Sequence, residues 1–267
     1  EEVDIPLKET AGHIGMAHPK YEAASLVLGT HQFTEDIHLD GMRFGALKFS
    51  DHPRARVLRI DTHAAESLPG VLRVLTAADI PGARKVGLIR EDWPLMIAEG
   101  EITRYIGDVI AGVVAETDRI AREAAELISV EYGVLEPITD VHSAMTKGTE
   151  FVHPGSDSNI LSVSNLARGD VAAAETTSDY VSQMTFQTQR VEQGFMEPEC
   201  AVAYPSDVGV KVFSQGQGVY EDRKQIAKLL GWSEERVRVI LVANGGAFGG
   251  KEDLSVQGHA ALMAILI

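Results

Sequence analysis

Asn244-Gly245-Gly246-Ala247-Phe248-Gly249-Gly250-Lys251-Glu252-Asp253 is the stretch of this sequence best suited to hold something chemically demanding. Four glycines in six residues remove side chains, permit positive φ and let backbone N–H groups approach a ligand closely. The run nearly spells a phosphate loop: Gly245, four residues, then Gly250 and Lys251. That motif continues with Ser or Thr to hold magnesium, whereas here Glu252 and Asp253 follow. Two carboxylates at that point would repel a triphosphate, so the nucleotide reading fails there. Upstream, Gln215 lies in a second glycine-rich turn, Gln215-Gly216-Gln217-Gly218, and offers an uncharged amide donor.

The elements around these turns are legible as hydrophobic patterns. Strands are expected over 42–50, 55–60, 71–76, 105–116 (broken by Gly107-Asp108) and 130–132, with Asp51-His52-Pro53 as a turn. Thr117 or Asp118 should cap a helix whose inner face carries Ile120, Ala124, Leu127 and Ile128. A boundary is expected near 139–158, where His153-Pro154-Gly155-Ser156-Asp157-Ser158-Asn159 is turn-forming. Beyond it, strands are expected over 180–187, 200–204 and 208–214, then a helix from about Tyr220 to Leu230 closed by Gly231. A strand over 237–243, the glycine turn and a helix from Leu254 onward complete the pattern. Strand, glycine-rich turn and helix thus occur twice. Ligands of α/β sheets bind at the carboxyl ends of strands, so Gln215 and the Phe248 loop should face one crevice. The expected fold class is α/β (α+β), divided into 1–144, with an irregular segment 1–27, and 145–267.

Composition narrows the function. The 267 residues carry 39 acidic and 24 basic side chains, a net charge of −15. That balance argues against nucleic acid or an anionic membrane surface as partner. Cys200 is the single cysteine, so this chain alone builds no disulfide, zinc–thiolate site or iron–sulfur cluster, and its usage suits the cytoplasm. In its apolar strand Cys200 reads as a core residue. The acidic start, Glu1-Glu2-Val3-Asp4, lacks the pattern of a signal peptide. The sequence stops inside the apolar run Ala260–Ile267, from which the chain is expected to be the first part of something longer or one piece of a split protein.

Four elements together resemble the molybdenum hydroxylases, the xanthine dehydrogenase and aldehyde oxidase family. Gly245-Gly246-Ala247-Phe248-Gly249-Gly250-Lys251-Glu252 resembles the family's glycine loop, and Ser214-Gln215-Gly216 before Leu229-Leu230-Gly231 its second loop. Gln187 to Pro198, with Gln193-Gly194-Phe195-Met196-Glu197-Pro198, is similar to its Glu-Pro motif. Arg104-Tyr105-Ile106-Gly107-Asp108 with Ile120-Ala121-Arg122-Glu123-Ala124-Ala125 resembles its hammerhead domain. The four stand in the family's order and cover roughly 28–267. Lys251-Glu252-Asp253 with His259-Ala260-Ala261-Leu262 looks closest to the selenium-dependent branch.

The resemblance implies a hammerhead-like mixed domain followed by the first part of a molybdopterin-binding domain. It implies oxidation of a purine, related N-heterocycle or aldehyde with water as oxygen source. Electrons would leave through [2Fe-2S] clusters and FAD on other domains or subunits, in a cytoplasmic assembly that is oligomeric when complete. The cofactor is a molybdopterin, its cytosine dinucleotide form left open as one variant. Gln215, Gly246, Ala247, Phe248 and Gly249 would contact it. Gln215 and the Phe248 N–H would approach molybdenum without ligating it, and Glu252 would face the substrate. The family's base, a glutamate, is expected beyond residue 267, so no catalytic residue falls in this stretch, which alone should be inactive. Gln193 stands where many members carry His, so no role passes to it.

Simpler readings compete. Gln215 could be a turn residue satisfying local backbone, Phe248 a hydrophobic plug, and Glu252 a carboxylate favourable to a helix N-terminus. Glu197 reads as structural. A non-catalytic scaffold that keeps the fold without cofactor is the alternative function.

Overall fold

A computed structural model describes residues 15, 17–146, 148–153 and 155–267. His13 and most of the segment expected to be irregular lie outside the described residues. The rest of that segment is not wholly irregular, because a short helix, α1 (Ala23–Leu28), closes on Gly29.

The first half is built around one strand. β1 (Phe44–Phe49), β2 (Ala55–Asp61), α2 (His63–Glu66), β3 (Val71–Thr76), β4 (Lys85–Val86) and β5 (Trp93–Pro94) precede it. β6 (Val109–Ala115) pairs antiparallel with β1 on one side and β3 on the other, and all seven of its residues are buried. An unbroken apolar run is what a strand covered on both faces requires. α3 (Asp118–Leu127) follows, with the Thr117 hydroxyl accepting the Ile120 N–H at 3.3 Å as its cap. Its small residues Ala121, Ala124 and Ala125 let it lie close on β1 and β6. β7 (Ser129–Val134) returns antiparallel to β2.

The strand expected from Tyr105 begins only at Val109. Residues 104–108 form a turn instead, in which the buried Asp108 carboxylate accepts the Arg104 N–H at 2.5 Å. Burial pushes that carboxyl above its ordinary range.

α4 (Val141–Met145) and α5 (Val171–Thr177) interrupt the connecting stretch, each capped by an aspartate, Asp140 or Asp170. The strand expected over 180–187 is absent. Its side chains stand in solvent, Tyr180 94% and Phe186 84% exposed, and no described segment pairs with it. Alternation of apolar residues supplies a surface for a neighbour, but without that neighbour there is no ladder.

In the second half, β8 (Ala201–Ser206) runs antiparallel to β9 (Gly209–Ser214), and β10 (Val237–Leu241) parallel to β9 on its other side. α6 (Val219–Leu230) makes the crossover and ends on Gly231 in the left-handed conformation. α7 (Gln257–Leu266) lies on β8 and β9 and reaches β6 of the first half.

The halves share one core, in which Leu75, Met96 and Val114 pack with Val212, Ile226, Leu229 and Leu262. Backbone also crosses between them: the N–H groups of Gly82 and Ala83 donate to the Leu229 and Lys228 carbonyls, both at 2.9 Å. A Cβ at position 82 would lie 2.1 Å from the Lys228 oxygen, so only glycine fits. Among the described residues, no helix is long and apolar enough to cross a membrane.

Candidate cofactor site

Because β9 and β10 are parallel, the chain leaves both at the same edge of the sheet. The 215–218 turn and the 242–256 loop therefore meet, as the α/β rule requires. They are laced by hydrogen bonds. Gln217 donates its N–H to the Lys251 carbonyl at 2.8 Å, and its side-chain oxygen accepts from the N–H groups of Gly249 (3.1 Å) and Lys251 (3.3 Å).

Lys251 is the hub of this region. Only 2% exposed, its ammonium donates to the Glu197 carbonyl at 2.8 Å and to the Gln215 side-chain oxygen, and lies 3.5 Å from Glu197 Oε2. It also sits over the Phe195 ring, 4.5 Å from the centroid. A buried ammonium has three hydrogens to place, and these acceptors take them. Glu197 accepts the Gly245 N–H at 2.6 Å, so the Glu-Pro segment grips the glycine loop from behind. A Cβ on Gly245 would come within 2.5 Å of the Glu197 Cβ, which is why a side chain is missing there. Glu197 Oε1 is buried and unpartnered among the described residues.

Gln215 is buried, and its amide nitrogen donates to the Pro198 carbonyl at 2.7 Å. Its second hydrogen has only weak acceptors, Cys200 O at 3.4 Å and the thiol Cys200 Sγ at 3.3 Å. Cys200 itself is half-buried just ahead of β8 rather than inside a strand. Burial, reinforced by the Glu197 and Glu35 carboxylates, pushes its thiol up to about 11, far from a reactive thiolate.

The outer side of the glycine loop is different. Phe248 adopts a positive φ of 53°, rare for a residue with a side chain, and its ring is 75% exposed. It is therefore not a plug packed against the sheet. The N–H groups of Ala247 and Phe248 have no hydrogen-bond partner among the described residues, and Gly249, at φ 83°, has open space where a Cβ would stand. Two adjacent free donors on a side-chain-poor turn suit an oxo-bearing or anionic group. On that test the loop fits the implied cofactor. Gln215 fits only once its weak hold on Cys200 opens.

Glu252 is exposed, with its carbonyl beside Gly218. The helix that follows starts at Gln257, not at Leu254, and carries no acidic residue in its first turn. Glu252 is thus no partner for a helix dipole. Lys251 and Gln217 escaped sequence reasoning, the first because a lysine beside two carboxylates reads as solvated. Gln217 did leave a signal, since it repeats Gln215 two residues on in a glycine-rich turn.

A mixed domain followed by two loops meeting at one sheet edge is the arrangement of a hammerhead and cofactor-binding pair. Residues 28–136 match the family model described as aldehyde oxidase and xanthine dehydrogenase, a/b hammerhead domain, and residues 152–267 the molybdopterin cofactor-binding domain. The chain is 36% identical over 240 residues to a probable xanthine dehydrogenase subunit from Bacillus subtilis, covering 90% of this chain and 32% of that protein. It is 35% identical over 251 residues to the nicotinate dehydrogenase large molybdopterin subunit of Eubacterium barkeri, covering 94% of this chain and 58% of the relative. The aldehyde oxidoreductase from Desulfovibrio gigas superposes with a TM-score of 0.83 at 25% identity, over 92% of this chain and 28% of that one. The chain belongs to the molybdenum hydroxylase family of xanthine dehydrogenases and aldehyde oxidases. It spans 32% and 58% of the length of these two curated relatives.

Proposed function

We propose that this chain forms the hammerhead and the first cofactor-binding part of a molybdenum hydroxylase that oxidises a purine, a related N-heterocycle or an aldehyde, with water as oxygen source. The supporting observation is the pair of uncommitted N–H groups at Ala247 and Phe248, held forward on a turn that Glu197, Gln217 and Lys251 anchor from behind. When bound, the molybdenum cofactor supplies the two-electron oxidation.

This chain's part is to bind and orient. Ala247 and Phe248 offer backbone donors within the Gly246–Gly249 turn, and fixed dipoles of this kind need no rearrangement during reaction. Gln215, released from Cys200, adds a neutral donor beside them. Glu252, exposed next to the loop, presents a carboxylate to N–H groups of a heterocyclic substrate. The catalytic base belongs to sequence other than this stretch, which by itself is inactive. Iron–sulfur and flavin domains or subunits take the electrons. The chain divides near residue 144 into its two functional parts.

One observation favours the scaffold reading. Lys251 and the Gln215 amide find hydrogen-bond partners within the chain, so most of the inner face closes without a cofactor. Metal and pterin analysis of the complete protein separates the two, and absence of both from active material would end the enzyme reading. In the complete enzyme, Glu252→Ala should weaken purine turnover and leave molybdenum content nearly intact. Loss of the metal would instead make Glu252 structural.

A further inference from the structure

Behind the two loops lies a polar group that the proposed chemistry does not use. Ser214 ends β9, Asp222 stands in the first part of α6, and Gln257 opens α7; all three are almost completely buried. Around the Ser214 Oγ are the Gly216 N–H at 3.0 Å, Gln257 Nε2 at 3.2 Å and Asp222 Oδ2 at 3.1 Å.

Chemistry fixes the direction of the hydrogen bonds at Ser214 Oγ. Gln257 Oε1 accepts the N–H groups of Ser255 (3.0 Å) and Val256 (3.1 Å), which fixes the amide orientation and turns Nε2 toward Ser214. Gly216 N–H and Gln257 Nε2 are both donors, so the Ser214 oxygen accepts twice. Its own single hydrogen is then left for Asp222, whose oxygen must accept it. Without that acceptor the hydroxyl hydrogen is buried and unpaired, which loosens the arrangement that receives Gly216 and Gln257.

Asp222 has no ion-pair partner among the described residues. Burial pushes its carboxyl up to about 6, opposed only by the Ser214 bond. A buried carboxyl without a cation is costly, and an apolar side chain would fill the place without that penalty. The group is also packed tightly against the turn it holds. A Cβ on Gly216 would lie 3.0 Å from Gln257 Nε2 and Ser214 Oγ, and 3.1 Å from Asp222 Oδ2.

We propose that Asp222 is a positioning residue: acting through Ser214, it fixes the Gln215-Gly216-Gln217 turn, and through Gln217 it holds the glycine loop with its free donors forward. The turn carries Gln215, and Gln217 is the residue that holds the Gly249 and Lys251 N–H groups. The link to the cofactor rests on the function proposed above, while the hydrogen-bond chain stands without it.

The test measures hydrogen exchange of the 214–218 amides in the complete protein, together with its molybdenum and pterin content. Asp222→Ala should raise exchange there about tenfold, the effect of leaving one buried hydroxyl without an acceptor, and should lower cofactor content. Asp222→Asn keeps an oxygen acceptor in place, so exchange should stay within about twofold of the parent and cofactor should be retained. Ser214→Ala should match Asp222→Ala, and the double variant should be no worse than either single one. Should Asp222→Ala not fold, Asp222→Asn still decides, because tenfold faster exchange in it overturns the proposal. Unchanged exchange in Asp222→Ala, or cofactor loss without changed exchange, overturns it too. If exchange follows expectation but the parent protein holds neither molybdenum nor pterin, the positioning role stands and the proposed function falls.

Discussion

Behind the glycine loop, Lys251, Gln215, Gln217 and Ser214 are tied off by hydrogen bonds inside the chain. In front of it, the N–H groups of Ala247 and Phe248 are free among the described residues and the Phe248 ring stands in solvent. The glycine loop therefore has a hydrogen-bonded inner side and an outer side with free donors. A structural turn needs only the first. Backbone held in a rare conformation with its donors unpaired raises the energy of the chain, and such strain persists only where the surroundings enforce it. The inner face is that enforcement.

This contrast can be broken most severely at Lys251. Lys251→Met removes the cation beside Glu197 and the donor to Gln215, and should cost about 3–5 kcal/mol in denaturant unfolding, as for other buried pairs deprived of one partner. A loss below about 1 kcal/mol would mean that the inner face is not what holds the loop.

Asp222 gives the next largest effect and a sign. Its folded-state value lies above the ordinary 3.8, at about 6, so the folded chain holds the proton more tightly than the unfolded one. The stability it contributes is fully present below about 3.8 and is lost as pH rises through about 6, a change of about 3 kcal/mol. Unfolding curves between pH 4 and 7 should show that decline in the parent, with a flatter profile in Asp222→Asn.

The smallest test compares two glycines of one loop. Gly245→Ala meets Glu197 on the crowded side and should cost about 1–3 kcal/mol. Gly249→Ala, with open space around it, bears only the left-handed backbone, about 1 kcal/mol. Equal losses at the two positions would erase the distinction between the faces.

Much of this arrangement could be read from residue order. The apolar run that became β6, the Thr117 cap, the Gly231 stop and the repeated strand–turn–helix unit are local signals, and each has its counterpart in the fold. Gly107-Asp108 was legible as a break in the apolar run, but the turn over 104–108 was not, because only the structure shows the Asp108 carboxylate folding back on Arg104. The short α4 and α5 rest on single aspartate caps and carry little hydrophobic pattern. For residues 180–187 the pattern was present but the partner was not. At the candidate site, the glycines and Gln215 were visible as a motif. The roles of Lys251 and Gln217 arise from contacts across 54 and 34 positions of sequence, which no spacing rule can supply.

Among the last carbonyls of α6, that of Leu229 takes the Gly82 N–H and that of Lys228 takes the Ala83 N–H as well as the helix's own Gly231 cap. A graft that exchanged the first half for that of a relative would therefore have to bring a glycine and two outward-pointing amides to the same spot, or leave the end of α6 frayed. Since α6 begins at the Gln215 turn, the far end of that helix is a place where a distant replacement could disturb the cofactor loops without touching them.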